Sequence, residues 1–185
     1  MQISIVTSNH GKFLEIKDIL GKFGIRSIQE PIETKEQGNT LEERCLSKAQ
    51  DAYSKLQKPL IVDDTGLFFE AFENFPGPFP KKVFNELGFV GILERLKGKN
   101  RQAYFKTLIC YIGKTGHKFF DGSVNGKISD KVFDGGHKSL PYDRIFIPDG
   151  YDVPFCLIPE QEQNKIKHRA KAVEKFAKWY TVNNK

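Results

Sequence analysis

The chain has 185 residues, a length that fits one domain or two intimate lobes and can bury about 70% of its unfolded surface without a metal or disulfide staple. Apolar residues make up 39% and charged residues 28%, and 16 phenylalanines supply core volume, which argues against a disordered, collagen-like or membrane-embedded chain. Against 23 Asp plus Glu stand 29 Lys plus Arg, and the resulting +6 suits any anionic partner, whether phosphate, nucleotide or nucleic acid, without selecting one.

Gln2 to Thr7 reads as a short strand that runs into a polar turn, Ser8-Asn9-His10-Gly11. No basic leader precedes it, and no apolar run approaches the ~18 residues of a membrane span, so a cytoplasmic protein is expected. From Lys12 the period becomes helical, with Phe13, Ile16, Leu20 and Phe23 on one side and Gly24 as the stop. Ile25 to Glu33 is a second strand interrupted by Pro31. Thr40-Leu41-Glu42-Glu43 has the form of a capping box and opens a helix to about Leu56. Pro59 to Val62 is an apolar strand that ends at Asp63-Asp64-Thr65-Gly66 and resumes as Leu67 to Phe72.

Pro76-Gly77-Pro78 with Pro80 forms a rigid loop, followed by two short helical patterns at Val83–Leu87 and Ile92–Leu96. Arg101 to Ile112 alternates as a long strand and turns at Gly113 to Gly116 into a partner, His117 to Ser123. Gly135-Gly136 opens a loop, a strand lies at Ile145–Pro148, and one closing helix places Ile166, Ala170, Val173, Ala177 and Tyr180 on one face. Strands alternate with helices and then pair in hairpins, which predicts a mixed α/β fold. Cys45, Cys110 and Cys156 are too far apart for a CxxC site and read as buried small hydrophobes in a reducing compartment.

Four blocks have residue types that suit chemistry. Thr7-Ser8-Asn9-His10-Gly11-Lys12 joins a strand to a helix N-terminus, whose unpaired N–H groups favour phosphate, although an ordinary polar turn has the same composition. Asp63-Asp64 places two carboxylates side by side after a strand; Mg²⁺ is commonly held by one or two carboxylates plus substrate phosphates, and a surface Asx-turn is the structural alternative. Glu36, in a loop, and Lys48, on the capped helix, could add a second carboxylate and a phosphate-facing cation, or be solvated charges. Lys165-Ile166-Lys167-His168-Arg169 sits at the expected start of the last helix, where each cation opposes the macrodipole by about 0.3–1 kcal/mol, a cost that a docked anion would offset. No nucleophilic Ser or Cys constellation accompanies them.

Taken together these blocks resemble the inosine triphosphate pyrophosphatase family, the RdgB/Ham1-like noncanonical purine NTP pyrophosphatases, over nearly the whole length. The T-x-N-x-x-K opening is Thr7, Asn9 and Lys12, followed by Glu15; the E-x-G and T-[FL]-x-E segment is Glu36, Gly38, Thr40, Leu41 and Glu43, with Lys48-Ala49 downstream. D-D-[ST]-G-L is intact in Asp63, Asp64, Thr65, Gly66 and Leu67, the PG loop is Pro76-Gly77, and R-x-A-x-F is Arg101, Ala103 and Phe105. The S-H-R block appears as Lys167, His168 and Arg169.

The resemblance implies an elongated, bent mixed sheet flanked by helices, a single domain whose two lobes enclose a cleft. It also implies a homodimer with no nucleic-acid or membrane partner. The implied reaction is Mg²⁺-dependent hydrolysis of deaminated purine nucleotides such as ITP, dITP and XTP to the monophosphate and pyrophosphate. By position, Thr7 to Lys12, Lys48 and Thr65 would hold the triphosphate, Glu36 and Asp64 the Mg²⁺, and Asp64 would also help activate water, with Asp63 in support. His168 and Arg169 would approach the base and sugar.

Departures concentrate at the base end. Where the family has F-G-[YW]-D-P, this chain has Leu140-Pro141-Tyr142-Asp143-Arg144, and the loop from Gly136 is about three residues longer. The purine-stacking aromatic is therefore Leu140, leaving His137 or Tyr142 as substitute rings, while Gln163 and Lys167 replace a lysine and a serine. The alternatives are the same hydrolysis on a different base, or a nucleotide-binding protein with little catalysis.

Overall fold

The computed structural model describes residues 1–134 and 141–183. The strands are β1 (Gln2–Val6), β2 (Arg26–Glu30), β3 (Leu60–Phe69), β4 (Pro76–Gly77), β5 (Gln102–Gly113), β6 (Gly116–Ile128) and β7 (Phe146–Pro148). The helices are α1 (His10–Gly21), α2 (Leu41–Leu56), α3 (Pro80–Arg95), α4 (Glu160–Ile166) and α5 (His168–Asn183). The sheet runs in the order β2-β1-β3-β5-β6-β7, with β4 pairing to β3, and it contains both parallel and antiparallel pairs. The α/β expectation is met. The chain divides into two compact units.

The first unit comprises residues 1–65, 107–123 and 168–185. Here β1 pairs in parallel with β2, with Ile3 opposite Ser27, and with β3, with Val6 opposite Val62. Parallel neighbours need a crossover, and α1 and α2 provide the two. Because alternate side chains point to opposite faces, β3 divides its residues between two cores. Ile61 packs with α1 and α5 through Ile16, Leu20, Val173 and Phe176, whereas Leu60 and Val62 pack with α2 through Leu41, Cys45, Ala49 and Ala52. The same alternation sends Asp63 toward α1 and α5, and Asp64 toward α2. A Cβ on Gly122 of β6 would collide with the His168 carbonyl oxygen and the Ala172 amide, so only glycine lets the start of α5 lie this close to the strand.

The second unit comprises residues 66–106 and 124–167. Its core mixes aliphatic side chains with a set of packed aromatic rings. Phe105 meets Phe146 edge-on at 4.8 Å, and Phe146 stacks on Phe155 at 5.5 Å. The β6–β7 pair is antiparallel, with Ile128 opposite Phe146. The two short helical patterns are one element, α3, broken at Gly88 (φ 58°, ψ −172°).

Several element boundaries differ from the sequence expectation, among them β2, which ends at Glu30 and not Glu33, and β3, which ends at Phe69 and not Phe72. Helix α1 starts at His10 and not Lys12, because the Asn9 side chain caps it by accepting from the Lys12 N–H at 3.0 Å. β3 runs without interruption through Asp63-Asp64-Thr65-Gly66, so the carboxylates sit within a strand and the surface-turn alternative is excluded. Strand β6 continues past Ser123 to Ile128. The closing helix is two helices, α4 and α5, separated at Lys167 (ψ 137°); Ile166 packs in the second unit's core and does not share a face with Ala170 and Val173. Lys165 therefore lies in the last turn of α4, where a cation is favourable, and Glu160 and Glu162 occupy the first turn.

Candidate active site

Among the described residues, the candidate carboxylates Glu36, Asp63 and Asp64 and the cations paired with them lie in the first unit. At the start of α1, Thr7 Oγ1 accepts from the Asn9 N–H at 3.2 Å, and Asn9 caps Lys12. His10 and Gly11 are the first two helical residues, so their N–H groups have no intrahelical acceptor and point out of the helix end. Ser8, His10 and Gly11 are exposed, whereas Thr7 is buried and its carbonyl accepts from Gln29. His10 Nδ1 shares a hydrogen bond with Gln29 Oε1 at 3.1 Å.

The loop before α2 is pinned to that helix. The Thr40–Glu43 capping box forms as the sequence predicts, and Glu43 also accepts from the Asn39 N–H. Ser47 Oγ accepts from the Gln37 N–H at 3.2 Å and donates to the Lys35 carbonyl. Gly38 adopts φ 123°, and a Cβ there would strike the Glu43 side chain. This fixes Glu36 over the α2 residues Arg44 and Lys48: its Oε2 lies 2.6 Å from an Arg44 nitrogen, its Oε1 3.0 Å from Lys48 Nζ, and its carbonyl accepts from Arg44 at 3.0 Å. Burial pushes the Glu36 pKa up, but Lys48, Arg44 and Lys12 together outweigh it and hold the group below its ordinary value.

The two β3 carboxylates have different environments. Asp63, 2% exposed, faces Lys12 Nζ at 3.0 Å and Arg169 Nε at 3.2 Å, both on Oδ2. Burial alone would raise its pKa, yet Lys12, Arg169 and Lys48 hold it well below the carboxylate range. Asp64, 9% exposed, has the opposite balance: burial wins over Lys48, Lys12 and Arg44, and its pKa is raised. Its Oδ1 accepts from the Thr65 N–H at 3.0 Å, while Oδ2, buried and 3.5 Å from Arg44 Nε, has no hydrogen bond. Lys48 also donates to the Asp63 carbonyl at 3.1 Å, and the three surrounding carboxylates outweigh its burial and raise its pKa.

The α5 residues approach from the other face of β3. Arg169, 6% exposed, adds to its Asp63 contact a 2.5 Å ion pair with Glu15 Oε2. A cation at a helix start is offset here by the protein's own carboxylates. His168 is also buried, and its Nδ1 lies 2.5 Å from Thr107 Oγ1, which in turn lies 2.7 Å from Thr65 Oγ1. The three side chains form a hydrogen-bonded line from the strand to α5.

Among the described residues, Lys12, Arg44, Lys48 and Arg169 thus meet Glu15, Glu36, Asp63 and Asp64. Sequence reasoning gave no role to Arg44, Glu15 or Thr107. Helical spacing carried a usable signal for two of them, since Arg44 is four residues before Lys48 and Glu15 three after Lys12, each on the same helix face.

The remaining base-end candidates that the structure describes lie in the second unit. Leu140 and His137 fall outside the described residues. Pro141 opens a 3-10 turn, Pro141–Arg144, that contains Asp143. Tyr142 is a core residue: its hydroxyl donates to the Pro80 carbonyl at 3.0 Å and its ring meets Phe84 edge-on. Gln163 donates to the Phe155 and Ile158 carbonyls, at 2.8 Å each.

The chain is similar to known proteins over nearly its whole length. A model of the Ham1 family matches residues 3–179. The dITP/XTP pyrophosphatase of Methanopyrus kandleri is 39% identical over 99% of this chain and 98% of its own length. That of Saccharolobus solfataricus is 40% identical over 97% of this chain and 93% of its own length. Among solved structures, a HAM1 protein from Coxiella burnetii superimposes with a TM-score of 0.85 over 98% of this chain and 99% of that one, at 24% identity.

Proposed function

The chain belongs to the Ham1 family, and we propose that the charged cluster of its first unit is the active site of a Mg²⁺-dependent pyrophosphatase. It is a nucleoside triphosphate pyrophosphatase that hydrolyses noncanonical purine nucleotides of the dITP and XTP kind, as its relatives are named. In the reaction, water attacks the α-phosphorus, the α–β anhydride bond breaks, and pyrophosphate leaves.

The observation that carries the site assignment is Asp64 Oδ2, a buried carboxylate oxygen without a hydrogen bond beside a second carboxylate, Glu36, and two cations. Hard oxygen donors fit Mg²⁺. Mg²⁺ is commonly held by one or two carboxylates and completed by substrate phosphates and water. Glu36 and Asp64 would hold it. A bound Mg²⁺ supplies charge neutralisation at the phosphates and lowers the pKa of water.

The protein's own groups do the rest. Lys12, Lys48 and the outward N–H groups of His10 and Gly11 provide a fixed positive field for the charge that grows on the leaving pyrophosphate. Asp64 would help accept the proton of the attacking water, a task shared with the metal, because a bound cation lowers the basicity of the carboxylate that holds it. Asp63 stays ionised and keeps Lys12 in position. We further propose a homodimer, following the family resemblance. A cytoplasmic location accords with three free, buried cysteines and with the lack of any described helix long and apolar enough to cross a membrane.

The test is pyrophosphate release from ITP, dITP, XTP, dUTP and the four standard nucleotides, with Mg²⁺ and with EDTA, for the wild type and Asp64→Asn. Mg²⁺-dependent release, greatest for ITP, dITP or XTP and about 10²-fold or more lower in Asp64→Asn, is the expected result. Equal release in EDTA would remove the metal from the reading, and an active Asp64→Asn would remove Asp64.

A further inference from the structure

Arg44 stands between the two carboxylates assigned to the metal. One nitrogen of its guanidinium is 2.6 Å from Glu36 Oε2, another donates to the Glu36 carbonyl at 3.0 Å, and Nε lies 3.5 Å from Asp64 Oδ2. Its side chain is 13% exposed and that of Asp64 12%, so water screens this pair poorly, whereas Glu36 is open to solvent. Glu36 has a second cation, Lys48, on its other oxygen, and Lys48 is anchored independently to the Asp63 carbonyl. The loop that carries Glu36 is likewise held without Arg44, through Ser47 and the Thr40–Glu43 cap. Withdrawal of Arg44 would therefore leave Glu36 in place and free one of its oxygens together with Asp64 Oδ2.

A divalent ion and a guanidinium compete for the same lone pairs, and the two cations repel each other across so short a gap. We propose that Arg44 is a resident cation that a divalent metal ion must displace from Glu36 and Asp64, so that metal loading is an exchange and not a simple addition. The inference rests on the reading that these two carboxylates are the metal ligands. It explains how the metal-free protein tolerates buried Asp64 beside a second carboxylate. It also makes the bare site a weak metal binder that loads best with a phosphate-bearing substrate, whose oxygens give the released guanidinium a new, bidentate partner.

The experiment is a Mn²⁺ titration followed by electron paramagnetic resonance on wild type, Arg44→Gln, Arg44→Lys and Asp64→Asn, together with thermal unfolding of each metal-free protein. Arg44→Gln is expected to bind Mn²⁺ about tenfold more tightly than wild type while unfolding at a lower temperature without metal. Arg44→Lys, which keeps the charge but loses the fork, falls between and carries the test if Arg44→Gln does not fold. Binding in Arg44→Gln and Arg44→Lys that equals or is weaker than wild type, with Asp64→Asn still defective, overturns the exchange and leaves the metal reading intact. Binding unaffected by Asp64→Asn overturns both.

Discussion

In the first unit's cluster the polar groups are largely charges set against charges, whereas in the second unit Tyr142 and Gln163 are donors that end on backbone carbonyls. Lys12, Arg44, Lys48 and Arg169 surround four carboxylates, yet Asp64 Oδ2 remains without a hydrogen bond. By contrast, Tyr142 donates to Pro80 and Gln163 to Phe155 and Ile158, while Arg144 divides between the Phe133 carbonyl and Asp134. A carbonyl is a fixed part of the fold, so a donor bound to it holds structure. A carboxylate held only by mobile cations can exchange those cations for a ligand. Reactive capacity therefore collects where charge compensation is incomplete, at a cost in stability, while the second unit's polar groups are committed to its fold.

The comparison breaks most easily at Asp63, where the largest effect is expected. Asp63→Asn leaves Lys12 and buried Arg169 with one counter-charge fewer, and should lower unfolding stability by about 3–5 kcal/mol in denaturant titrations. Its pKa is depressed in the folded protein, so its contribution is present above the ordinary value of 3.8 and is lost as the pH falls through the lower folded value. The stability gap between wild type and Asp63→Asn should accordingly be constant near neutrality and narrow below about pH 4. A gap that widens in acid would mean that Asp63 is held in its protonated form, and the charge-against-charge description would fail for it.

The elements were legible wherever a local signal existed. The Thr40–Glu43 box, the helical period of Phe13, Ile16 and Leu20, and the alternation after Arg101 were each sufficient for their element. What was not legible depended on contacts remote in sequence. Asp63-Asp64-Thr65-Gly66 has turn composition, yet it remains extended because cations from α1, α2 and α5 compensate its two faces. Lys167 breaks the last helix although no Pro or Gly marks the position. Arg44 escaped notice because a lone arginine on a helix is ordinarily solvated, and only the folded loop brings Glu36 within 2.6 Å of it. The family motifs pointed to the carboxylates and to Lys12, Lys48 and Arg169; Arg44 had to be seen in place.

A smaller effect sharpens the second half of the comparison. Gln163→Ala removes two hydrogen bonds at once and leaves the Phe155 and Ile158 carbonyls without that donor, at the end of the 3-10 turn Phe155–Leu157. A loss of about 1–2 kcal/mol in urea-denaturation stability is expected. Gln163→Glu should cost at least as much, because a carboxylate cannot donate to either carbonyl. Unchanged stability in both variants would show that Gln163 is not spent on the fold.

The smallest and cleanest probe is Tyr142→Phe. Its ring packs against Phe84 at 5.8 Å in either variant, so the substitution removes the hydroxyl and little else. That hydroxyl donates to the Pro80 carbonyl at the first residue of α3, and burial pushes its pKa far above the ordinary tyrosine value, so it remains a neutral donor throughout the accessible range. The Pro80 carbonyl is then left without this partner, and the expected cost is about 1 kcal/mol, close to the net worth of one neutral hydrogen bond. Because no titration intervenes, the cost should be the same at pH 6 and pH 9, in contrast to the acid-sensitive Asp63 difference. A pH-dependent Tyr142→Phe effect between those limits would place an ionising partner beside the hydroxyl, and the second unit would then share the electrostatic character of the first.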